Sequence, residues 1–510
     1  MRKIDFNFNE LFYGKGNRSS QKFLENQFND IIENKKGSAF HQRHLLGSKF
    51  SGFFKYLWKK PEIQIIFLLI VSRMFFIIFT HWGMDFDFYI EIAQRVLAGE
   101  KLYVDIQSTH MPLVDIIYVA MYIICPWKGN IIALRLFMKF PYLVADIGIA
   151  FAIIKIVEKE KLKRDYDGEA IDELSFEDVR KTKLIAGYFI AFSLPLILQT
   201  GGGRYDSLMI FCFTMVVFCI QRNNWFGIGF YAALGTSTKY IGIIFLPFVI
   251  FWMKKEDIIP FILGLLLGFL PIFPFLITVP NEFIQAILLR DSHIAYGFSI
   301  WHAIYIFWNG FKMKYIGGID DTYASADEPW FVKHLYLPLF IIMYAIIFFV
   351  YIFRYKKYMR SNSIGTLPLS TITNFVFIPL FIFSLSFKAI NIQVLAWLTP
   401  YFALRKKLVL LLEYSILTIV SGLALIFFEA SNPVTFLELS KLAASENTPF
   451  YTLIVNPALK LTQVIPVEVW VSIILITIVW FLIRTGMEFT RCSRELLKKE
   501  TIHKIFSATI

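Results

Sequence analysis

Long apolar runs recur along the 510 residues of this chain, and they restrict its fold more than any other feature. Residues 62–80 and 131–154, for example, are close to the length of about 20 residues that an α-helix needs to cross a bilayer. Apolar residues make up 56% of the chain and charged residues 18%, which leaves too little polar surface for a soluble protein. We therefore expect an all-α, polytopic membrane protein. A disordered chain, a disulfide scaffold, a DNA-binding domain and a secreted enzyme are excluded.

The apolar runs predict about 12 membrane helices, with a range of 11 to 13. The segments are residues 62–80, 131–154, 184–199, 207–221, 226–238, 241–253, 258–279, 335–353, 368–386, 394–404, 408–428 and 468–484. Several are short for a bilayer, which is typical of helices that are broken or tilted around a cavity. A further stretch, residues 111–127, contains Pro112 and Pro126. We expect it to be re-entrant or packed against the other helices.

Basic residues predict the orientation, because cytosolic loops of membrane proteins are richer in Lys and Arg. With both termini in the cytosol, 36 Lys and Arg residues fall on the cytosolic side and 10 on the other side. The predicted regions are a cytosolic basic N-terminal region (1–61), a transmembrane core (62–430), an outer loop with the last membrane helix (431–484) and a cytosolic basic tail (485–510). Since residues 1–60 are polar, we expect residues 62–80 to be an uncleaved anchor. The predicted location is the cell membrane or the endoplasmic reticulum membrane, with the functional site on the outer or lumenal side.

The first outer segment reads GMDFDFYIEIAQRVLAGEKLYVDIQSTHMPL. Its D-x-D, Asp85 and Asp87, directly follows the first membrane helix. Apolar residues from Phe88 onward recur at helical spacing, which predicts an amphipathic interfacial helix that ends at Gly99. The carboxylates are either hydrated, with one capping the helix, or they act as a general base or a metal ligand at the mouth of a cavity. Positions i and i+2 of a helix do not face each other, so both reach one target only if the chain is extended there or Asp85 precedes the helix.

Two further outer segments combine basic and acidic residues. In QTGGGRYDSL, Arg204 and Asp206 stand at the start of the next helix, and they either pair with each other or contact a polar ligand. In residues 288–310, Arg290, Asp291 and His293 stand close together. Arg and His can hold a phosphate, while the aromatic residues that follow are also explained by an interfacial belt.

Polar residues also interrupt the apolar segments themselves. Lys388 and Gln393 lie in FKAINIQVLAWLTP. Lys388 falls on the outer side, which is predicted to be poor in basic residues, so its position is explained either by snorkelling or by ligand binding. Lys239 falls at a break between two short apolar segments. Asp146 is an intramembrane charge that follows Arg135 and Lys139 by 11 and 7 residues. Such charges must face protein or water, and pairing within the helix bundle is the simpler explanation.

The order of these motifs resembles the GT-C superfamily of integral membrane glycosyltransferases. Five motifs follow one another between about residues 62 and 430. They are an acidic D-x-D after the first helix, a G-R-Y-D-S turn, a T-x-K-Y segment, R-D-x-H-x-x-x-x-F-S-x-W and K-x-x-x-x-Q-x-x-x-W-x-x-P. The likeness is greatest to GPI mannosyltransferase I catalytic subunits and to polyprenyl-dependent mannosyltransferases of bacteria and archaea. The late motif of that family usually carries Q-Y, whereas Gln393 is followed by Val394 here.

The resemblance implies a role for each motif. It implies a catalytic base among Asp85 and Asp87, and re-entrant or interfacial helices in the first outer loop. Contacts to the donor phosphate or sugar are implied for Arg204, Asp206, Arg290, Asp291, His293, Lys388 and Gln393. The motifs name no certain cofactor, and metal dependence stays open because a D-x-D can work with or without a divalent cation.

The predicted function is transfer of a hexose, most simply mannose, from a polyprenyl-phosphate donor to a glycan or glycolipid acceptor. One displacement with an Asp base would invert the configuration at the anomeric carbon. The predicted partners are this donor, the acceptor and the lipid bilayer. An accessory membrane subunit is compatible with the sequence, and nucleic acid is not an expected partner. Two alternatives stay open: a multi-span transporter or flippase for lipid-linked sugars, and a polysaccharide polymerase or ligase.

Overall fold

The structure is a computed structural model. It describes residues 60–79, 83–108, 110–166, 176–287, 296–308, 329–359, 362–390, 393–430, 460–461 and 464–497, with the backbone alone for some of them, among which are residues 83–87, 162–166 and 425–430. By its contacts the chain divides into Met1–Lys60 and Pro61–Ile510, and the elements below belong to the second unit. The predicted N-terminal region, most of the outer loop after residue 430 and the end of the tail lie outside the described residues.

The first half of the second unit is a series of helices with short connections. They are α1 Pro61–Phe79, α2 Gly83–Leu97, α3 Pro112–Ile124, α4 Ile131–Tyr166, α5 Phe176–Ala191, α6 Leu194–Gly201, α7 Asp206–Ile220, α8 Trp225–Thr238 and α9 Leu246–Ile250. Short 3₁₀ turns at Tyr240–Ile243 and Lys255–Asp257 lie before and after α9.

The second half continues the helical pattern and adds one small strand pair. The helices are α10 Ile258–Gly268, α11 Phe273–Thr278, α12 Pro280–Ile287, α13 Ile300–Trp308, α14 Trp330–Met359, α15 Leu369–Ser386, α16 Val394–Trp397, α17 Thr399–Leu404, α18 Leu408–Ala430 and α19 Val467–Leu497. Strands β1 Tyr296–Gly297 and β2 Ala389–Ile390 pair in parallel, Tyr296 with Ala389 and Gly297 with Ile390. Apart from this pair, the described elements are helical, which confirms the all-α prediction.

Five helices in the described part of the chain are long and apolar enough to cross a membrane: α1, α4, α14, α15 and α19. Helices α5 and α6 become a sixth candidate if the two, bent by 50°, form one span. The other apolar helices, such as α3, α7 and α18, fall below the length that this criterion requires in their described, apolar part. The membrane class is therefore supported, whereas the count of about 12 spans stays a prediction.

Several predicted spans are broken, and the breaks coincide with polar residues. The predicted span 184–199 bends between α5 and α6, next to Ser193 and Pro195. The predicted spans 226–238 and 241–253 are separated at Lys239, whose φ of −158° and ψ of 127° are those of an extended chain. Helices α16 and α17 are separated at Leu398, just before Pro400. The breaks confirm the prediction of discontinuous helices, and they bring polar backbone and side chains into the interior.

The first outer segment folds largely as its pattern predicts. Helix α2 ends at Leu97, and Gly99 follows with a φ of 97°, a left-handed conformation that glycine adopts without strain. The helix begins at Gly83, however, so Asp85 does not precede it and is not its N-cap. Positions 85 and 87 are both helical, and the condition for both carboxylates to share one target is not met.

Helix α3 corresponds to the stretch that was expected to be re-entrant or packed. It has 13 residues and packs against α2, α4 and α8. Its face with Val114, Asp115 and Tyr118 is buried. Packing against other helices is thus confirmed.

The two largest apolar cores organise most of the described helices. The larger one includes residues of α1, α4 to α10 and α13 to α19, with α15 almost entirely buried. The smaller one lies between α2, α3 and the start of α4, and Tyr205 and Leu208 pack against it. Since Tyr205 directly precedes α7, the beginning of α7 lies where the two cores meet.

The intramembrane charge Asp146 is paired, as the simpler explanation predicted, but its partner was not foreseen. Arg73 Nε on α1 lies 2.9 Å from Asp146 Oδ2 on α4, and both side chains are fully buried. Thr200 Oγ1 donates to the same oxygen at 2.7 Å. Lys139, one of the two neighbours in sequence, donates instead to the carbonyl oxygen of Ile77.

Candidate functional site

The centre of the candidate site is an ion pair between the start of α7 and the break after α8. Lys239 Nζ lies 2.9 Å from Asp206 Oδ1. Asp206 is the first residue of α7, where a carboxylate is favoured by the helix dipole. Lys239 is held there because the chain leaves α8 in an extended conformation. Asp206 therefore pairs with a lysine 33 residues away. It does not pair with Arg204, which the sequence had offered as one of two explanations for these residues.

Residues of the late motif complete this cluster. The indole Nε1 of Trp397 donates to Asp206 Oδ1 at 2.7 Å. Lys239 Nζ also donates to Gln393 Oε1 at 3.2 Å. Gln393 and Trp397 lie at the two ends of the one-turn helix α16, so this turn presents an amide oxygen and an indole N–H to the same ion pair.

The ammonium group of Lys239 is also in contact with two aromatic faces. Its Nζ lies 4.6 Å from the ring centroid of Trp397 and 5.4 Å from that of Tyr205. The aromatic faces stabilise the positive charge electrostatically. The side chain of Asp206 is fully buried, whereas that of Lys239 keeps 18% of its surface exposed. The cation is therefore the more exposed member of the pair.

Asp206 retains one oxygen for further interaction. Its Oδ2 is buried and accepts no hydrogen bond from any residue in the described part of the chain. A buried carboxylate oxygen without a donor is unfavourable. A ligand hydroxyl or a water molecule at this position would remove the penalty.

The segment around Lys388 is joined to the segment that follows the Arg-Asp-x-His motif. Strand β1 pairs with β2, Phe298 N donates to the carbonyl oxygen of Ile390 at 2.6 Å, and Trp301 Nε1 donates to that of Ser386 at 2.7 Å. The buried Lys388 places Nζ 5.7 Å from the ring centroid of Tyr336. The described end of this motif, Phe298 to Trp301, is thus a neighbour in the fold of the Lys388 segment about 90 residues later.

An aromatic wall connects the central ion pair with the D-x-D helix. Tyr205 contacts the imidazole of His110, with ring centroids 5.2 Å apart. His110 in turn contacts Phe88 and Tyr89 on α2, with ring centroids 6.2 and 5.0 Å apart. Phe88 directly follows Asp87 in sequence, so the first turn of α2 adjoins this wall.

The predicted site residues therefore fall into three groups. Asp206 and Gln393 are brought together through Lys239, while Arg204 and Lys388 lie half-buried and buried in the adjoining segments. For Asp85 and Asp87 the structure gives the helical backbone alone. The remaining three, Arg290, Asp291 and His293, lie outside the described residues. Among the described residues no group of three or more His, Cys, Asp or Glu side chains is placed to hold a metal ion.

Sequence reasoning missed the aromatic and imidazole part of the site. Tyr205, Trp397 and His110 were passed over because aromatic residues are abundant throughout the chain. Lys239 was noted at a break between two apolar segments and in the T-x-K-Y motif, but it was given no role in the site. The available signal was that each of the four stands in or next to a short polar break between apolar runs.

A comparison of the sequence with models of known protein families finds no match, and a comparison with curated proteins finds none either.

Proposed function

We propose that this protein is a membrane glycosyltransferase of the GT-C type. It would transfer a hexose from a polyprenyl-phosphate donor to a glycan or glycolipid acceptor on the outer or lumenal side. The fold assigned here has about 12 membrane helices, eleven of them in the core at residues 62–430 and the last at 468–484, with α2 and α3 as interfacial or re-entrant helices and both termini in the cytosol. The bias of 36 to 10 basic residues supports this orientation.

The observation that carries the proposal is the convergence of separate motifs on one ion pair. Asp206, Lys239, Gln393 and Trp397 come from three segments of sequence and meet within hydrogen-bonding or ring-contact distance. A partly exposed cation beside aromatic faces suits a sugar phosphate, because the cation binds the phosphate while aromatic faces stack on sugars. A buried carboxylate oxygen adds an acceptor for a sugar hydroxyl.

The proposed reaction is a single displacement at the anomeric carbon. Asp85 or Asp87 accepts the proton of the acceptor hydroxyl as its oxygen forms a bond to that carbon. The bond between the anomeric carbon and the phosphate oxygen breaks, and its electrons leave with the polyprenyl phosphate. Lys239, Lys388 and Arg204, together with Arg290 and His293, are assigned to the developing charge on the phosphate. Asp291 and Gln393 are assigned to donor contacts.

Transport of a lipid-linked sugar is a second candidate, and the helix breaks favour it. Transporters bind their substrates near the midplane of the membrane, between discontinuous helices. The breaks at Ser193, Lys239 and Leu398 have that character. A transporter would bind the donor and release it unchanged.

The test is mass analysis of products from the purified chain, a polyprenyl-phosphate hexose and a glycolipid acceptor in liposomes. We expect a hexose-extended acceptor and free polyprenyl phosphate in equal amounts. Lys239→Met should reduce transfer at least about 100-fold through loss of a charged contact in the transition state. Asp85→Asn or Asp87→Asn, whichever removes the base, should reduce it about 10²–10⁴-fold.

The matched control is Lys255→Met, which changes an exposed lysine in the 3₁₀ turn after α9. It should leave transfer unchanged. Binding of the donor without any product would favour the transporter. Full transfer by both Asp85→Asn and Asp87→Asn at normal protein level would contradict the assigned mechanism.

A further inference from the structure

An open groove runs along the C-terminal half of α19, the last membrane helix. Its volume is about 860 Å³. The apolar residues Leu482, Ile483 and Met487 line one part of it, together with Gly486. Ile483 is 56% exposed and Met487 is 55% exposed. The described part of the chain therefore leaves this face of α19 without a covering helix.

The other end of the same groove is basic. Arg491 and Arg494 line it, one and two helical turns beyond Met487, and both are exposed. Residues three apart on a helix are neighbours, so the two arginines stand on one side of α19. Like charges in this arrangement repel each other. An anion bound between the two guanidinium groups would remove the repulsion.

The one acidic residue that lines the groove does not neutralise both arginines. Glu495 is paired with Arg405, and it accepts a hydrogen bond of 3.4 Å from the amide of Asn374. Its Oε1 lies 3.3 Å from Nε of Arg491, which leaves the two terminal nitrogens of that guanidinium for other partners. Arg494 forms no hydrogen bond or ion pair with a described residue. Three cations thus surround one carboxylate, and two positive charges stay without a counter-charge among the described residues.

The groove lies at the depth where a bilayer changes from hydrocarbon to headgroups. Helix α19 has 31 residues, which at 1.5 Å per residue gives about 46 Å. The hydrocarbon core of a bilayer is about 30 Å thick, so about 20 residues cross it. Counted from Val467, the crossing ends near Gly486, and the rest of the helix extends beyond the core. The apolar part of the groove therefore faces acyl chains, and its arginines lie in the headgroup layer on the side predicted to be cytosolic.

The charge of the groove favours an anionic lipid over the chain's own termini or a second copy of the chain. Residues 1–59 contain 11 Lys and Arg against 5 Asp and Glu, and residues 498–510 contain 3 against 1, so both segments are basic themselves. In a two-fold dimer built on this face, the arginines of one copy would meet the same arginines of the other. A phospholipid instead offers a phosphate followed by acyl chains, in the same order as the two parts of the groove.

We propose that this groove binds an anionic phospholipid of the cytosolic leaflet. Arg491 and Arg494 hold its phosphate, because guanidinium groups match phosphate oxygens in geometry and charge. An acyl chain lies along Ile483 and Met487 and approaches the helix closely at Gly486, where an added Cβ atom would meet nothing within 4 Å. Basic pockets at the cytosolic ends of membrane helices bind anionic headgroups in this way. The inference does not depend on the proposed function, because the groove lies on the side opposite to the one predicted for the candidate site.

The experiment compares palmitoyl-oleoyl phosphatidylglycerol with phosphatidylcholine of the same chains, bound to the purified full chain in detergent. Native mass spectrometry counts the bound lipids, and thermal unfolding reports the stabilisation that a bound lipid gives to the folded state. Phosphatidylglycerol should bind at least about tenfold more tightly, the size expected of a charged hydrogen bond. The double variant Arg491→Gln with Arg494→Gln should lose this preference. Its midpoint without lipid should change little, because both side chains are exposed.

Two further variants separate the groove from general attraction to basic residues. Lys254→Gln with Lys255→Gln removes two charges from another exposed segment predicted to be cytosolic, and it should keep the preference for phosphatidylglycerol. Gly486→Leu keeps both arginines but fills the apolar part of the groove. It should weaken phosphatidylglycerol binding about tenfold, as expected when about two methylene groups lose their contact. Binding of glycerol phosphate, which has no acyl chain, should not change in this variant.

The possible outcomes are distinct. Equal binding of the two lipids by the unmodified chain would overturn the inference, as would an unchanged preference in the double arginine variant. Glycerol phosphate that competes as well as the whole lipid would assign the groove to a soluble anion, and a dimer that the arginine substitutions dissociate would assign it to a second copy. Either result also overturns the inference. Loss of the lipid preference in the double arginine variant, with the lysine control unaffected, would support it.

Discussion

At the scale of single residues, two buried carboxylates have opposite surroundings. Asp146 is closed in by Arg73 and Thr200, and its partner guanidinium is fully buried. Asp206 is equally buried, but its partner Lys239 is partly exposed and rests on aromatic rings. The first arrangement joins α1 to α4, whereas the second leaves its cation partly exposed. Burial alone therefore does not distinguish the carboxylate of a closed ion pair from the one at the candidate site.

Asp146→Asn should destabilise the protein strongly. The substitution keeps the shape of the side chain but leaves the guanidinium of Arg73 buried without its counter-charge, a loss of about 3–5 kcal/mol. The control is Glu177→Gln in the exposed pair with Lys181, for which we expect less than about 1 kcal/mol. Thermal unfolding in detergent measures both. Equal midpoints for the two variants would show that the buried pair contributes no more than an exposed one.

At the scale of elements, close helix packing keeps the break at Lys239 in position. Helix α8 leads into this break and packs tightly on α10. A Cβ atom added to Gly264 would overlap the carbonyl oxygen of Phe226, and one added to Gly268 would overlap that of Phe230. Small residues four apart allow two backbones to approach this closely, as in other membrane helix pairs.

Gly264→Ala should lower stability, although alanine favours helices. The added methyl group must separate α8 from α10, which costs about 1–3 kcal/mol and exceeds the gain of about 0.5–1 kcal/mol in helix propensity. Gly486→Ala makes the same chemical change in α19, where an added Cβ meets nothing within 4 Å. It should leave the melting temperature unchanged or raise it. A rise in both variants would refute the tight-packing argument.

At the scale of the whole molecule, the basic excess is partly neutralised on the side predicted to be cytosolic. Lys183 lies 2.6 Å from Glu62 and 2.8 Å from Glu158, which joins α5 to α1 and α4. Arg405 pairs with Glu495 of α19. These pairs connect helix ends that the chain order separates. These pairs lie on the side predicted to be cytosolic, opposite to the side predicted for the candidate site.

Cysteine labelling should recover the predicted orientation. The four native cysteines are buried, so they provide a low background. Lys101→Cys changes an exposed residue predicted to be outside, and Lys255→Cys one predicted to be in the cytosol. An impermeant maleimide should label the first in intact cells or sealed vesicles, and the second only after permeabilisation. Labelling of both without permeabilisation would refute the assigned topology.

Much of the architecture followed from local pattern. Apolar run length predicted the membrane class, and the helical spacing from Phe88 predicted α2 and its end at Gly99. Polar interruptions marked the breaks at Lys239 and near Gln393. These properties depend on residues close together in sequence, because hydrogen bonding within a helix and burial of its faces are local.

The pairings within the site were decided by the tertiary structure. Sequence spacing offered Arg204 as the partner of Asp206, and Arg135 or Lys139 for Asp146, but the fold supplies Lys239 and Arg73. A buried charge pairs with the group that helix packing brings within about 4 Å, whatever its distance along the chain. The sequence by itself therefore determined a helical membrane protein with polar breaks. Only the packing of distant helices determined which of its charges meet.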